Sequence, residues 1–347
     1  MRKILIAGCG PAGAAAAIAG LLEGAAVRMV DRAKSFRHKV CGEFISPGAV
    51  GVLEALRVWP EFANACPCRI RRCILHIGNR EKRWNLSETA WGLSRLELDR
   101  LLVRKAVEMG AAVSPGEAFD LRGIESFKET LVVACGRRRP QKHGDRLFGF
   151  KTHFEGPCDD SVELFFGGSG YAGVSGIENG WTNVCGIAPE SVLRRDGFDF
   201  DAVVRRSKPL AERLRPLRRR MPWVSTGPIG FSAPSADGLS MNVYAAGDAL
   251  GFVDPFTGTG IMNALLTGRM AGISAARGIP VSEHLKECRA LLRRPFLVSS
   301  VLRRLLVLTP LHWLAPCLPA QTLFRLTRAR STLQLADAVV CPEVSRP

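Results

Sequence analysis

Gly8, Gly10 and Gly13 stand in the spacing Gly8-Cys-Gly10-Pro11-Ala12-Gly13. Glycines so placed suit a backbone that must turn tightly, approach a pyrophosphate and let the following helix pack close. The N-terminus of that helix turns its amide N–H groups toward phosphate charge, with Pro11 and Ala12 in its first turn. Asp31 comes 18 residues after Gly13, where a carboxylate can accept hydrogen bonds from an adenosine ribose, and Arg32 beside it can flank the adenine. These residues read as a dinucleotide cradle, and on their own they leave FAD and NAD both open.

A second constellation lies far downstream: Tyr244-Ala-Ala-Gly247-Asp248-Ala-Leu-Gly-Phe-Val-Asp254-Pro255-Phe-Thr-Gly258-Thr-Gly260-Ile261. It resembles the second FAD fingerprint of the aromatic-hydroxylase and geranylgeranyl-reductase flavoprotein superfamily. The resemblance implies that Asp248, after Gly247, holds the ribityl hydroxyls. It also implies that the 255–260 loop, with Pro255, Gly258 and Gly260, and the helix from Ile261 meet the isoalloxazine carbonyl end, where a helix dipole stabilises anionic reduced flavin. FAD is thereby the expected cofactor.

Two further stretches carry the same resemblance. Gly92-Leu-Ser-Arg95-Leu-Glu-Leu-Asp99 is similar to the superfamily's arginine helix, which implies that Arg95 reaches the FAD phosphates with bidentate donors. Lys39-Val-Cys41-Gly42-Glu43 looks like the Cys-Gly loop of geranylgeranyl reductases, which implies that Cys41 and Gly42 border the flavin ring. Cys41 is thus a candidate for shaping the pocket or influencing reoxidation, and Glu43 shares its place. The segments around His153, Tyr171 and Asn183 look like the sheet that roofs the flavin. His153 and Tyr171 are candidates for proton transfer or for orienting a polar substrate end.

The elements that must position these groups follow from periodicity. Residues 3–7 read as a buried parallel strand, 14–23 as a helix and 26–30 as the next strand, the size of a dinucleotide-binding crossover. An irregular stretch is expected to about residue 90, then a surface helix over 93–109 and a buried strand over 131–134. Residues 148–154, 162–166, 172–175 and 182–187 read as strands of an antiparallel sheet. A buried strand over 241–246 and a small-residue helix over 260–276 return to the first pattern.

The predicted fold is therefore α/β: a Rossmann-like FAD-binding domain (1–66, 92–140 and 237–280) interleaved with an antiparallel substrate domain (67–91 and 141–236), plus a C-terminal helical tail (281–347). Arg303-Arg304, Pro310, Pro316 and Pro319 break the tail below membrane-spanning length.

Composition narrows the partners. Lys and Arg number 48 against 32 Asp and Glu, a net charge of +16, but the excess is scattered and no nucleic-acid-binding signature accompanies it. The 11 cysteines are odd in number and irregularly spaced, which suits reduced thiols in a cytoplasmic protein. Cys66-Pro-Cys68 with Cys73 lacks the spacing of a zinc site, so no metal is expected.

The resemblance implies a geranylgeranyl-reductase-like oxidoreductase acting on an apolar isoprenoid, polyketide or lipid-like small molecule. The basic, apolar tail extends that to peripheral contact with the inner face of a membrane. The alternatives are a monooxygenase hydroxylating an aromatic or polyketide substrate, and a non-catalytic, membrane-associated flavin-binding protein. NADPH or NADH is the candidate reductant, although Cys135 stands where aromatic hydroxylases carry the Asp of their middle motif. No Trp-x-Trp-x-Ile-Pro element is present, so halogenation is not expected.

Overall fold

The computed structural model describes residues 1–78, 80–137, 144–167 and 170–303. β1 (Lys3–Ala7), α1 (Pro11–Leu22) and β2 (Ala26–Asp31) open the chain. The short β3 (Phe44–Ile45) and helices α2 (Ala49–Ala55) and α3 (Trp59–Asn64) lead into a hairpin of β4 (Cys68–Ile77) and β5 (Arg80–Gly92). Then come α4 (Arg95–Glu108), β6 (Ala112–Pro115), β7 (Leu131–Val133), β8 (Leu147–Glu155), β9 (Ser161–Gly167), β10 (Gly170–Gly176) and β11 (Thr182–Pro189). Helices α5 (Glu190–Arg195), α6 (Phe200–Arg205) and α7 (Lys208–Leu214) precede β12 (Arg218–Arg219) and β13 (Val224–Ile229). β14 (Val243–Ala245), α8 (Gly260–Arg277) and α9 (Val281–Arg303) follow.

Five strands form a parallel sheet in the order β14-β7-β1-β2-β6. The β-branched apolar run of β1 suits the centre of such a sheet, which is covered on both faces. Residues from both ends of the chain thus share one sheet. α1 is almost entirely small and apolar, and Ala14, Ala15, Ala16, Ala17 and Ile18 are fully buried. It lies against α8 at close range: a Cβ on Gly268 would sit 2.2 Å from the Ala12 carbonyl oxygen, and one on Gly272 the same distance from that of Ala16. Only glycine at these two positions lets the helix backbones approach so closely.

The second sheet runs β12-β8-β11-β10-β9-β4-β5-β3, with β13 also pairing with β8. Its expected antiparallel character is corrected at one place: β4 and β9 run parallel, Arg72 opposite Ser161 and Ile77 opposite Phe166. The chain leaves this sheet after β5, passes through α4, β6 and β7 of the first sheet, re-enters the second sheet as β8 away from β4, and then places β9 beside β4 in the same direction. The sheet is therefore mixed.

The 31–90 stretch is also more regular than expected, because it holds α2, α3 and the long β4–β5 hairpin. Most of β5, Arg-Glu-Lys-Arg-Trp-Asn-Leu-Ser-Glu, points charged and polar side chains to solvent, which conceals a strand from a search for apolar alternation. Helices α5 to α7 were likewise hidden among strand signals. They cover one face of the second sheet, packing Val192, Leu193, Val203, Val204, Leu210 and Leu214 onto Phe150 and Phe154. The strand expected over 241–246 starts at Val243, since Met241 is 87% exposed.

Among the described residues no helix is long and apolar enough to cross a membrane. The tail features at 304–347 lie outside the described residues.

Candidate active site

The phosphate loop has the geometry its glycines imply. Gly8 has a φ of +110°, and a Cβ there would sit 2.5 Å from the Ala134 carbonyl oxygen. A Cβ on Gly13 would lie 1.8 Å from the Gly8 carbonyl oxygen, so the helix can start only with glycine here. Gly10 is the N-cap of α1 and no side chain caps its first-turn N–H groups. The one atom near a Cβ at Gly10 would be Arg95 Nη2, at 3.5 Å. The uncapped helix end and the half-buried guanidinium therefore face the same small space, an arrangement suited to a pyrophosphate.

Asp31 is fixed at the end of β2. Its Oδ2 accepts from the Cys9 amide at 2.8 Å and its Oδ1 from the Ala33 amide at 2.8 Å, so the ribose-binding carboxylate also braces the loop. Burial and this neighbouring carboxylate push the Cys9 thiol up to about 12. Arg32 is exposed beside it.

Arg95 starts α4 behind the Ser94 N-cap, whose hydroxyl accepts from Glu97 N. Its Nε and Nη2 donate to Asp99 at 2.9 and 3.1 Å, and Asp99 also takes Lys39 Nζ at 2.9 Å. Asp248 follows the left-handed Gly247, whose φ is +58°. Burial raises the Asp248 carboxyl, against the charges of Arg137 and Arg95. Arg137 is anchored by Thr226 Oγ1 at 2.9 Å and packs over Phe252. Arg137 carries no motif signal in the sequence, and Lys39 stands in the Cys-Gly loop motif without a role of its own.

The 255–260 loop is a single 3-10 turn ending in Gly258, at φ +68°. A Cβ on Gly258 would lie 2.8 Å from the Phe44 ring, whereas one on Gly260 would meet nothing within 4 Å. Gly260 begins α8, an 18-residue helix without a side-chain cap. Its dipole points into the open space before the loop.

Over this loop and the 41–43 loop lies the second sheet, through the face that α5 to α7 leave free. Register puts Lys151 opposite Cys185, His153 opposite Asn183, and Tyr171 opposite Ile187. The Tyr171 hydroxyl donates to Asp254 Oδ1 at 2.7 Å, and its ring stacks on Phe166. Burial and Asp254 raise that phenol well above its ordinary value. The structure thus places Tyr171 as a clamp on the 255–260 loop.

Asn183 Nδ2 donates to the carbonyl oxygens of Gly42 at 2.9 Å and Cys41 at 3.2 Å, pinning the Cys-Gly loop to β11. Burial raises the Cys41 thiol, so Cys41 stands at the site as a neutral thiol.

The strongest feature at this junction is Glu43. It is fully buried and has a φ of +54°. Its Oε1 accepts from the Arg95 amide at 2.6 Å and from Lys151 Nζ, and its Oε2 pairs with His153 Nε2 at 2.7 Å. Lys151 and His153 are themselves buried, and the His38 ring stands edge-on to His153 at 5.0 Å. Burial alone would raise the Glu43 carboxyl, but the His153 hydrogen bond and the Lys151 charge bring it below its ordinary value. One ligating atom each from His38, Glu43 and His153 lie within 4.8 Å of one another. Lys151 already supplies a positive charge to the shared carboxylate. A signal for Lys151 existed: a lysine in step with His153 in a strand otherwise rich in Phe and Gly.

Glycines that a Cβ would obstruct, two uncapped helix N-termini, and Arg95 and Asp248 converging between them fit a flavin dinucleotide. Residues 1–132 match the FAD binding domain family. The chain is an FAD-dependent oxidoreductase. It is 28% identical over 319 residues to the menaquinone reductase of Mycobacterium tuberculosis, covering 77% of this chain and 75% of that protein. With the menaquinone reductase of Mycolicibacterium smegmatis it shares 27% identity, covering 89% and 84%. In fold it is similar to the flavin-dependent brominase Bmp2, at a TM-score of 0.78 and 16% identity over 98% of each chain. It is also similar in fold to Pseudomonas aeruginosa PqsL, at a TM-score of 0.65 and 18% identity over 93% of this chain and 98% of that one.

Proposed function

We propose that this oxidoreductase is a reductase of the geranylgeranyl-reductase type that acts on an isoprenoid quinone or a similar apolar, unsaturated molecule lying under the second sheet. The observation that carries this reading is the buried group of Glu43, Lys151 and His153 beside the pinned Cys-Gly loop. Reducing a carbon–carbon double bond or a quinone takes a hydride and a proton, and such a group is built to hold protons in a dry site. The relatives named menaquinone reductase support the same substrate class.

Bound FAD supplies the hydride, drawn from NADPH or NADH. Gly8, Gly10, Gly13 and Arg95 would hold the pyrophosphate, Asp31 the adenosine ribose and Asp248 the ribityl chain, and Gly258, Gly260 and the α8 N-terminus would face the ring. Glu43 fixes His153 at Nε2 and balances Lys151, so both groups are held in place as a buried proton-holding cluster. Tyr171, through Asp254, keeps the 255–260 loop in register with the sheet.

The apolar substrate reaches the site from a membrane surface. Leu297 and Val301, one turn apart on α9, are 54% and 56% exposed, and Arg293 and Arg294 next to them are exposed too. Flotation with anionic liposomes at low salt tests this, and protein that stays at the bottom of the gradient contradicts it. The catalytic reading is tested by following the flavin spectrum anaerobically with NADPH or NADH and then with a menaquinone. Reoxidation by the quinone supports it. Reoxidation only by oxygen, with a hydroxylated product, supports a monooxygenase instead.

A further inference from the structure

We propose that Cys68 and Cys158 are a dithiol site that peroxide oxidises to a reversible disulfide. The two residues are 90 positions apart: Cys68 opens β4, and Cys158 lies in the loop between β8 and β9. The parallel pairing of β4 with β9 brings them together over Gly176, at the end of β10. A Cβ on Gly176 would sit 2.6 Å from Cys158 Sγ and 2.6 Å from Cys68 Sγ. The sulfurs are therefore no farther apart than twice that distance, and the glycine leaves the space between them clear. Both thiols also lie within reach of the Asp159 carbonyl oxygen, at 3.7 and 3.9 Å.

The pair is open to small oxidants. Cys158 is exposed and Cys68 half-buried, and both are free thiols. The surroundings favour thiolate on Cys158. A hydrogen bond from Cys68 brings its thiol down to about 7 against the opposing effect of burial, helped by the Thr182 hydroxyl and the Arg213 charge. Among the described residues, Thr182 Oγ1 has no other hydrogen-bond partner. A thiolate near neutral pH beside a second thiol is the arrangement in which oxidation ends as a disulfide rather than as a higher acid.

The chemistry balances with hydrogen peroxide as oxidant. The Cys158 thiolate attacks one peroxide oxygen, forming an S–O bond and breaking the O–O bond, and the departing hydroxide takes a proton to become water. Cys68 then attacks the oxidised sulfur, forming the S–S bond and expelling the second oxygen, which leaves as water with the Cys68 proton. Two electrons pass from the thiols to the peroxide. A small-molecule thiol restores the pair by exchange.

Neither cysteine belongs to the flavin site, and the inference is independent of the proposed substrate. The test uses the full chain carrying FAD, reduced, treated with equimolar hydrogen peroxide, alkylated and digested for mass spectrometry. A cross-linked peptide joining Cys68 to Cys158, reversed by dithiothreitol, is expected. It should persist in Cys66→Ser and vanish in Cys158→Ser and in Cys68→Ser, both of which should keep the wild-type flavin spectrum. In Cys68→Ser, Cys158 should stop at the sulfenic acid with one equivalent of peroxide and progress to the sulfinic acid when a second equivalent is added. Alkylation of Cys158 should set in at lower pH than that of an ordinary thiol, whose pKa is about 8.5. A bridge between Cys66 and Cys68, no bridge at all, or alkylation of Cys158 only in the ordinary thiol range overturns the proposal.

Discussion

Glu43 and His153 are 110 residues apart in the chain and 2.7 Å apart in space, Oε2 against Nε2. The carboxylate stands on the Cys-Gly loop and the imidazole on β8, so this contact, with Lys151 on the other oxygen, closes the second sheet over the flavin side of the first domain. Glu43 also accepts the Arg95 amide, which links the same carboxylate to the arginine facing the phosphate loop.

Glu43→Gln should destabilise the protein by about 3–5 kcal/mol, because it strands the Lys151 ammonium in a buried site. Chemical denaturation measures this. The double variant Glu43→Gln with Lys151→Met should recover most of the loss, since no unpaired charge remains. A double variant as unstable as the single one contradicts the ion-pair account.

The same carboxyl sets an acid limb. Its folded pKa lies below the ordinary value of 4.5, so its contribution to stability is complete above that pH and is lost as pH falls through the lower folded value. Denaturation midpoints should therefore drop from about pH 4.5 downward in the wild type and drop less steeply in Glu43→Gln. Equal slopes would show that Glu43 is not held in its charged form.

Arg95→Met should weaken FAD binding about 10- to 100-fold, from the loss of charge-assisted hydrogen bonds of about 1.5–3 kcal/mol. Arg95→Lys should recover only part of it, because a point charge cannot replace the planar fork. Fluorescence titration of the apoprotein with FAD decides it, and unchanged affinity in Arg95→Met removes the arginine from the phosphate site.

Asp248 presents the opposite balance. Its carboxyl is raised by burial, so the charged form costs the apoprotein stability at neutral pH. Asp248→Asn should leave the apoprotein at least as stable as wild type while weakening FAD by about tenfold, about one hydrogen bond. A variant that loses stability but keeps FAD affinity would make Asp248 a structural residue.

Two glycines of α8 should separate packing from binding. Gly268→Ala pushes a methyl to 2.2 Å from the Ala12 carbonyl oxygen and should cost about 1–3 kcal/mol or more. Gly260→Ala meets nothing within 4 Å, so it should leave stability unchanged and reduce FAD affinity if the flavin occupies the space before the α8 N-terminus. Thermal unfolding and FAD titration of both variants check the contrast.

Four of the five strands of the first sheet were legible because they are short apolar runs punctuated by glycines whose backbone demands are local: Gly8, Gly13 and Gly247 can be read without any partner, whereas β6, Ala112–Pro115, is partly exposed and carries no such run. The strands β8 to β11 were legible for similar reasons. β5 was not, since its solvent face is made of Arg, Glu and Lys, and the parallel β4–β9 pairing depends on a crossover through another sheet. In the site, Arg95 and Asp248 carried motif signals. Arg137 did not, because its meaning lies in a partner 89 residues away, and Lys151 showed only its step with His153, its own partner lying 108 residues away. The pairing of Cys68 with Cys158 was invisible for the same reason, and the neighbouring Cys66 and Cys73 drew attention to the wrong set.

The most direct measurement is anaerobic single turnover. The protein is loaded with FAD, reduced until its flavin absorbance is bleached, and mixed with a menaquinone in the absence of oxygen. Return of the oxidised flavin spectrum in proportion to the quinone added, with a product two hydrogens heavier, is the predicted result. A flavin that stays bleached until oxygen is admitted contradicts the reductase reading, and a protein that acquires no flavin spectrum contradicts the cradle itself.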